Sequence, residues 1–367
     1  MRGNIMKIKK YTATLFALML SFLLSACTQA LSPETNSSQP DAAGSGQTES
    51  TQTEVPVSES SEAETIYPVT LTDQLGRTVT IEKEPESIVS GYYISTGILL
   101  ALDCKDRLTG IEAKPDSRPI YQLSAPSVLE LPNVGTAKQF DLEGCAAINP
   151  DLIILPAKLK DSIPALEELG FTVLAVKPEN QTLLNDAVSL IGAAVNRTER
   201  ADAFIEYTAS KLTVLSEALA NTDAPTVYLA GNSSLLSTAG EAMYQNTLIE
   251  NAGGTNAAKE LADAYWAEIS YEQLLAWNPA YIILAADASY TVESVLNDPN
   301  LAECSAVKTG QIYQFPNTIE AWDSPVPGSI LGSLWLSSIL HPEQYPVSQY
   351  ETAVTEFYET FYGFTPN

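Results

Sequence analysis

The sequence predicts an α/β fold of two Rossmann-like lobes, each with a mainly parallel sheet, joined by one long rigid helix. The first observation behind this is a phrase written twice. DLEGCAAINPDLIIL (Asp141–Leu155) returns as SYEQLLAWNPAYIIL (Ser270–Leu284) at a constant offset of 129 positions. Glu143 falls on Glu272, Asn149 on Asn278, Pro150 on Pro279, and Ile153, Ile154 and Leu155 on Ile282, Ile283 and Leu284. Each copy reads as a capping side chain, a short helix with a glutamate in its first turn, an Asn-Pro stop and an apolar strand. A repeat spaced this widely belongs to two similar lobes and is too long for a solenoid. The second observation is alternation: short β-type runs separated by helical patterns imply βαβ units. The third is a continuous helical pattern between the two halves, at Thr198–Ala220.

The N-terminus carries a basic n-region (Arg2, Lys7, Lys9, Lys10) and an apolar stretch, Tyr11–Leu24, that is short for a membrane span. That is the shape of a secretory signal peptide, assigned to residues 1–26. Leu24-Ser25-Ala26-Cys27 reads as a bacterial lipobox, which makes Cys27 the lipidated first residue of the mature chain, with an ordinary signal peptide as the alternative. Residues 28–65 hold seven acids, no Lys or Arg and almost no large apolar side chains. Such a segment cannot bury enough surface to offset its ordering entropy, so 27–65 is read as a lipidated cysteine with a disordered acidic tether. The expected location is extracytoplasmic, anchored by lipid to the cell membrane.

In the first lobe, 66–196, the strands are expected at Ile88–Ser90, Leu152–Leu155 and Val173–Val176. The connecting segment, 197–222, places Ala201, Phe204, Ile205, Thr208, Leu212, Leu215 and Leu219 on one helix face, with Asn196 and Glu199 as a capping-box start. In the second lobe, 223–367, strands are expected at Val227–Ala230, Tyr281–Leu284 and Ile312–Phe315. A stiff connector of this kind should let the lobes close little around a ligand.

Composition excludes several classes. All 45 Asp and Glu lie after Cys27, whereas four of the 19 Lys and Arg lie before it, which leaves the mature chain at a formal −30. Nucleic acid and anionic lipid surfaces need clustered cations and are poor partners for such a chain. Cys104, Cys145 and Cys304 share no metal-ligand spacing and read as buried thiols, with a Cys104–Cys145 bridge as the alternative. One histidine, His341, and the absence of G-x-S-x-G, H-E-x-x-H and C-x-x-C leave no nucleophile–base arrangement, so no enzyme is expected. His341 ends an apolar run and is read as a helix C-terminal cation, the alternative being a haem ligand.

The stretches VTLTDQLGRTVTIEKEPESIVS (from Val69), LPNVGTAKQFDLEGCAAINPDLIIL, APTVYLAG, WAEISYEQLLAWNPAYIIL and IYQFPNTIEAWDSPVPGSILGSLWL, in this order, resemble the Fe/B12-type periplasmic-binding family. These are the class III, helical-backbone substrate-binding proteins of ABC importers for iron-siderophores, haem and cobalamin. The resemblance spans Val69 to His341. It implies a monomeric receptor without a cofactor of its own, whose partners are a metal chelate and an ABC permease dimer with its ATPase. It also implies that acids at the positions of Glu143 and Glu272 dock onto arginines of the two-fold permease. The plain alternative for both glutamates is that each complements a helix N-terminus.

Ligand contacts are expected where loops at the C-terminal strand ends meet. The candidates are Tyr92 and Tyr93, Lys138, Tyr244, Trp266 and Trp322, with Lys114, Arg118 and Lys138 as cations for an anionic iron chelate. Trp266 matches a cleft tryptophan of the cobalamin binders, but Ala137 stands where those carry a second one. The expected cargo is an iron-siderophore chelate, with corrinoid or haem as alternatives. A surface adhesin-type lipoprotein is the non-transport alternative, and it gives no reason for matched acids in the two copies.

Overall fold

Continuous apolar runs of four or five residues become strands buried on both faces, which is how a parallel sheet reads in sequence. The computed structural model describes residues 66–261 and 265–366, all of which belong to one compact unit. The signal segment, Cys27 and the tether lie outside the described residues. Among the described residues, no helix is long and apolar enough to cross a membrane.

Four parallel strands make the first sheet, in the order Leu108–Gly110, Ile88–Ser90, Leu152–Pro156, Val173–Val176. The second is six-stranded and mixed. Its parallel centre is Thr226–Ala230, Tyr281–Leu284 and Ile312–Gln314, with Thr255–Asn256 also parallel to Thr226–Ala230. Ser237–Thr238 and Ala267–Glu268 add an antiparallel edge. All six expected strands are present to within a residue at either end. The hairpin Val69–Thr72/Thr78–Ile81, the Leu108–Gly110 strand and the two-residue edge strands are too short or too polar to stand out in sequence.

The duplicated phrase is duplicated in space. Asp141 accepts from Gly144 N (2.9 Å) and Ser270 from Gln273 N (3.2 Å), which caps the helices Leu142–Ile148 and Tyr271–Trp277. Both helices end on an asparagine in the left-handed region, Asn149 at φ 55° and Asn278 at φ 45°. Asparagine tolerates that conformation, and the following proline prevents the helix from continuing. The strand that follows lies, in each sheet, between the sheet's opening strand and the next one in the chain. Cys145 and Leu274 occupy the same buried place in the two helices, and Glu143 and Glu272 the same exposed one.

Alternate side chains of the first sheet serve two cores. Ile88, Leu152, Ile154, Leu174 and Val176 face one, whereas Val89, Ile153, Leu155, Val173 and Ala175 face the other. Cys104 lies in the first of these and Cys145 in the second; both are free buried thiols, so the disulfide alternative does not form. The helix Thr198–Ala218 turns Ala201, Phe204, Thr208 and Leu215 inward. Its cap differs from expectation. Arg197 holds the cap position without a side-chain hydrogen bond, and Asn196 turns left-handed at φ 56° and donates Nδ2–H to Glu84 (3.0 Å).

Residues after the second sheet return to the first core. Ile319, Trp322, Ile330, Leu334, Phe357 and Phe361 pack with Ile88, Ile94 and Phe204. A boundary at 223 thus separates the strands of the two sheets but not their cores. Phe204 sets its ring against Phe357 and Phe361 (centroids 5.8 and 5.0 Å), and Arg200 donates to the carbonyls of Ala101, Thr360 and Phe361. Phe204→Ala should therefore cost about 3–5 kcal/mol of unfolding free energy, measured by denaturant titration of the full chain. A loss below about 1 kcal/mol would mean that this seam does not carry the fold.

Candidate functional site

Loops at the C-terminal ends of the parallel strands of both sheets enclose a cleft of about 290 Å³. Tyr93, Gly97, Ser117, Arg118 and Tyr121 line it from the first sheet; Asn232, Asp287, Asn317, Glu320 and Ser324 line it from the second. Tyr93 begins the helix that follows the Ile88–Ser90 strand, and Asp287 follows Tyr281–Leu284. Glu320 stands in the loop after Ile312–Gln314.

The Arg118 guanidinium lies 3.9 Å from the centre of the Tyr93 ring. This cation–π contact holds a half-buried cation flat at the cleft wall without neutralising it. Beneath it, Tyr121 donates its hydroxyl to Glu112 Oε1 (2.7 Å) and Thr96 donates to Glu112 Oε2 (2.7 Å). Burial raises the Glu112 carboxyl above the ordinary range, and the two hydroxyl donors oppose that rise. This small network fixes the floor on which the Tyr93–Arg118 pair rests.

Two more acids are buried on the side of the second sheet, of which Glu320 lines the cleft. Glu320 accepts from the Tyr358 hydroxyl (3.0 Å), which itself accepts from Trp322 Nε1 (3.0 Å). Burial pushes Glu320 up to about 7, against Tyr358, the Gly328 N–H and Arg118. Asp323 accepts from Ala286 N (3.0 Å), and burial pushes it up to about 6. Among the described residues, no group of three or more His, Cys, Asp or Glu is placed to hold a metal ion.

Of the expected contacts, Tyr93 and Arg118 meet in the cleft. Tyr92 packs edge-on against Tyr93 (5.0 Å) behind the lining, where burial raises its phenol. Trp266 is part-exposed and borders an adjoining depression with Ser233, Ser237 and Glu268, which shares Asn232 with the cleft. Lys138 is exposed on the Gly135–Phe140 ribbon and does not line the cleft.

Two expectations are corrected. Trp322 is 2% exposed and spends its one donor on Tyr358, and Tyr244 is buried with its hydroxyl donating to Ser329 O (3.3 Å). Both aromatics are core, because their polar atoms find partners inside. His341 ends the helix Ser329–Leu340 and is buried, and its Nε2 can only donate to the Gly253 carbonyl (3.1 Å), which removes that nitrogen as a haem ligand. Sequence reasoning missed Glu320, Asp287, Asn232, Asn317 and Tyr121. The one available signal was the acid pair Glu320 and Asp323 around a tryptophan, just after a strand.

Glu143 and Glu272 stand in the first turns of the twin helices, exposed and outside every ion pair formed among the described residues. A backbone N–H and the Ser270 hydroxyl hold the Glu272 carboxyl below its usual range. In a strand–helix–strand unit the helix runs opposite to the strand it feeds, so both first turns lie toward the edge of the sheets on which the cleft opens.

The family model described as "Periplasmic binding protein" matches residues 88–318. Among curated proteins, the molybdate-binding protein MolA of Haemophilus influenzae is 24% identical over 80% of this chain and 90% of its own length. The molybdate-bound structure of MolA covers 82% of this chain and 99% of its own at 22% identity, with a TM-score of 0.69. An ABC transporter substrate-binding lipoprotein of Bacillus subtilis, YvrC, is 24% identical over 68% of this chain and 78% of its own. The Fe(3+) dicitrate-binding periplasmic protein FecB of Escherichia coli is 26% identical over 63% of this chain and 75% of its own.

The raised acids set a pH window for stability. A carboxyl with a folded pKa above its unfolded value of 4.5 stabilises the fold fully below that value, and the contribution is lost as pH rises through about 7. The depressed acids, Asp151 and Asp298, act below their ordinary 3.8 and do not oppose this trend. The midpoint of thermal unfolding should thus rise between about pH 8 and about pH 6, and Glu320→Gln should be the more stable protein at about pH 8, by roughly 1–3 kcal/mol. An E320Q protein less stable than the native one at that pH would overturn this account.

Proposed function

The chain belongs to the periplasmic binding protein family, and from that premise we propose that it captures a small, oxygen-rich anionic metal species in the cleft beside Arg118. Family membership makes it an extracytoplasmic solute-binding protein of an ABC importer and not an enzyme, with a permease and a small ligand as its partners. The observation that carries the ligand class is the cleft itself. At about 290 Å³ it stands at the small end of the roughly 300–1,000 Å³ of ligand pockets, and its cation is a single arginine seated on an aromatic ring.

A compact ferric carboxylate chelate fits this reading of the expected iron chelate. A tetrahedral oxometalate is the second reading, favoured by the likeness to a molybdate binder along nine-tenths of that protein's length. Corrinoid and haem suit a cleft at the small end of the range less well, being larger ligands than a ferric carboxylate, and the His341 Nε2 is already committed to the Gly253 carbonyl. Anchoring through Cys27 remains part of the proposal, and the lipoprotein among the relatives supports it. The adhesin alternative gives no account of a lined cleft or of matched acids.

Tryptophan fluorescence, with Trp266 beside the cleft, should report saturable binding of ferric citrate or molybdate at micromolar concentration. Haemin or cobalamin binding more tightly than both would reverse the ligand assignment.

We infer further that Glu143 and Glu272 are the two docking acids, one for each half of a two-fold permease. Support comes from their identical settings in the two helices, and charge-assisted pairs with arginine suit orienting contact. Glu143→Ala with Glu272→Ala should leave the dissociation constant within about twofold and reduce uptake by at least about tenfold in a transport assay. Uptake unchanged by the double substitution would refute the docking role.

A further inference from the structure

The hydrogen bonds around Glu320 run in one direction. Trp322 Nε1–H can only donate, so the Tyr358 oxygen accepts it, and the Tyr358 proton then goes to Glu320 Oε2 (3.0 Å each). Oε2 is thus committed to the protein. The Gly328 N–H also acts on this carboxyl, and Glu320 is one of the residues that line the cleft. Arg118 lines the opposite wall.

We propose that Glu320 meets the solute as a neutral acid, donating Oε1–H to an anionic oxygen while Arg118 across the cleft takes the charge. The inference rests on the reading of this cleft as the solute site. The shared chemistry is an anionic oxygen, whether of a ferric carboxylate or of an oxometalate. An ionised carboxylate at this place would repel such a ligand, whereas a protonated one adds a second donor to the arginine.

The surroundings of the carboxyl favour that form. Tyr358 and Tyr362 face it from the C-terminal helix, the Gly328 N–H from the start of the Ser329–Leu340 helix, and Arg118 and Tyr93 from the first sheet. Trp322 and Asp323 share its loop, and Asp287 borders the same cleft. Desolvation outweighs the donors and the arginine and leaves the group near about 7. Solute binding then takes up a proton, and the affinity depends on pH.

The test titrates the full chain with sodium molybdate and, separately, with ferric citrate between about pH 6 and about pH 8.5, by calorimetry in buffers of different ionisation enthalpy. For the probe that binds, the native protein should weaken by up to about tenfold per pH unit above 7 and take up close to one proton. Glu320→Gln keeps an acceptor for Tyr358 and an N–H donor for the ligand but cannot titrate, so its affinity should be flat apart from the probe's own titration. Asp323→Asn, which alters the other buried acid of that loop, should follow the native slope. Tyr358→Phe removes the donor that favours the ionised form and should move the midpoint to higher pH.

A native slope retained by E320Q, or binding without proton uptake, overturns the role of Glu320 and leaves the solute class standing. Failure of the native protein to bind either probe at any pH overturns both.

Discussion

The packing of the Thr198–Ala218 helix against the C-terminal helix Val347–Tyr362 is the constraint on which the rest of this molecule depends. Phe204 and Tyr207 interleave with Phe357 and Phe361, and Arg200 ties the carbonyls of Ala101, Thr360 and Phe361 into one corner. The Tyr362 hydroxyl reaches Gly97 O (3.1 Å), in the helix whose first residue, Tyr93, lines the cleft. The chain that built the second sheet thus ends inside the core of the first. Buried aromatic contacts of this kind have large areas and few rotamers, which is what a fixed cleft geometry requires.

That seam also explains the chemistry of the cleft. Glu320 leaves the second sheet just as the chain turns back toward the first core, and Tyr358 on the returning helix meets it there. The acid is desolvated because the C-terminal segment covers it, so its raised pKa follows from topology. Arg118 reaches the same space from the other side and stays charged on the face of Tyr93. Stability and the acid–base state of the cleft are therefore coupled through the same helix.

The two sheets are alike in plan and unlike in the residues they bring to the cleft. Both twin helices are capped by an Asx or Ser side chain, stopped by a left-handed asparagine and followed by an interior strand. Above them, one wall offers Tyr93 and Arg118 and the other Glu320, Asp287 and Asn232. The shared plan places one glutamate alike in each copy, and the unlike walls give a ligand different partners on its two sides.

Local pattern was enough for the strands, for the capped helices of the repeat and for the inward face of Thr198–Ala218, because each is set by period, caps and stop residues within a few positions of one another. Tyr93 was legible as a cleft candidate because it sits just beyond the Ile88–Ser90 strand, and Arg118 because it is a loop cation in a chain with few cations. Trp322, Tyr244 and Glu320 were not. Whether an aromatic ring in a loop faces solvent or core depends on partners such as Ser329 and Tyr358, which lie 85 and 36 residues away. The sequence by itself determined the six main strands, the duplicated helix–strand unit and the family. Only the tertiary structure decided which polar atoms were already satisfied, and that is the physical difference between a core residue and one free to hold a ligand.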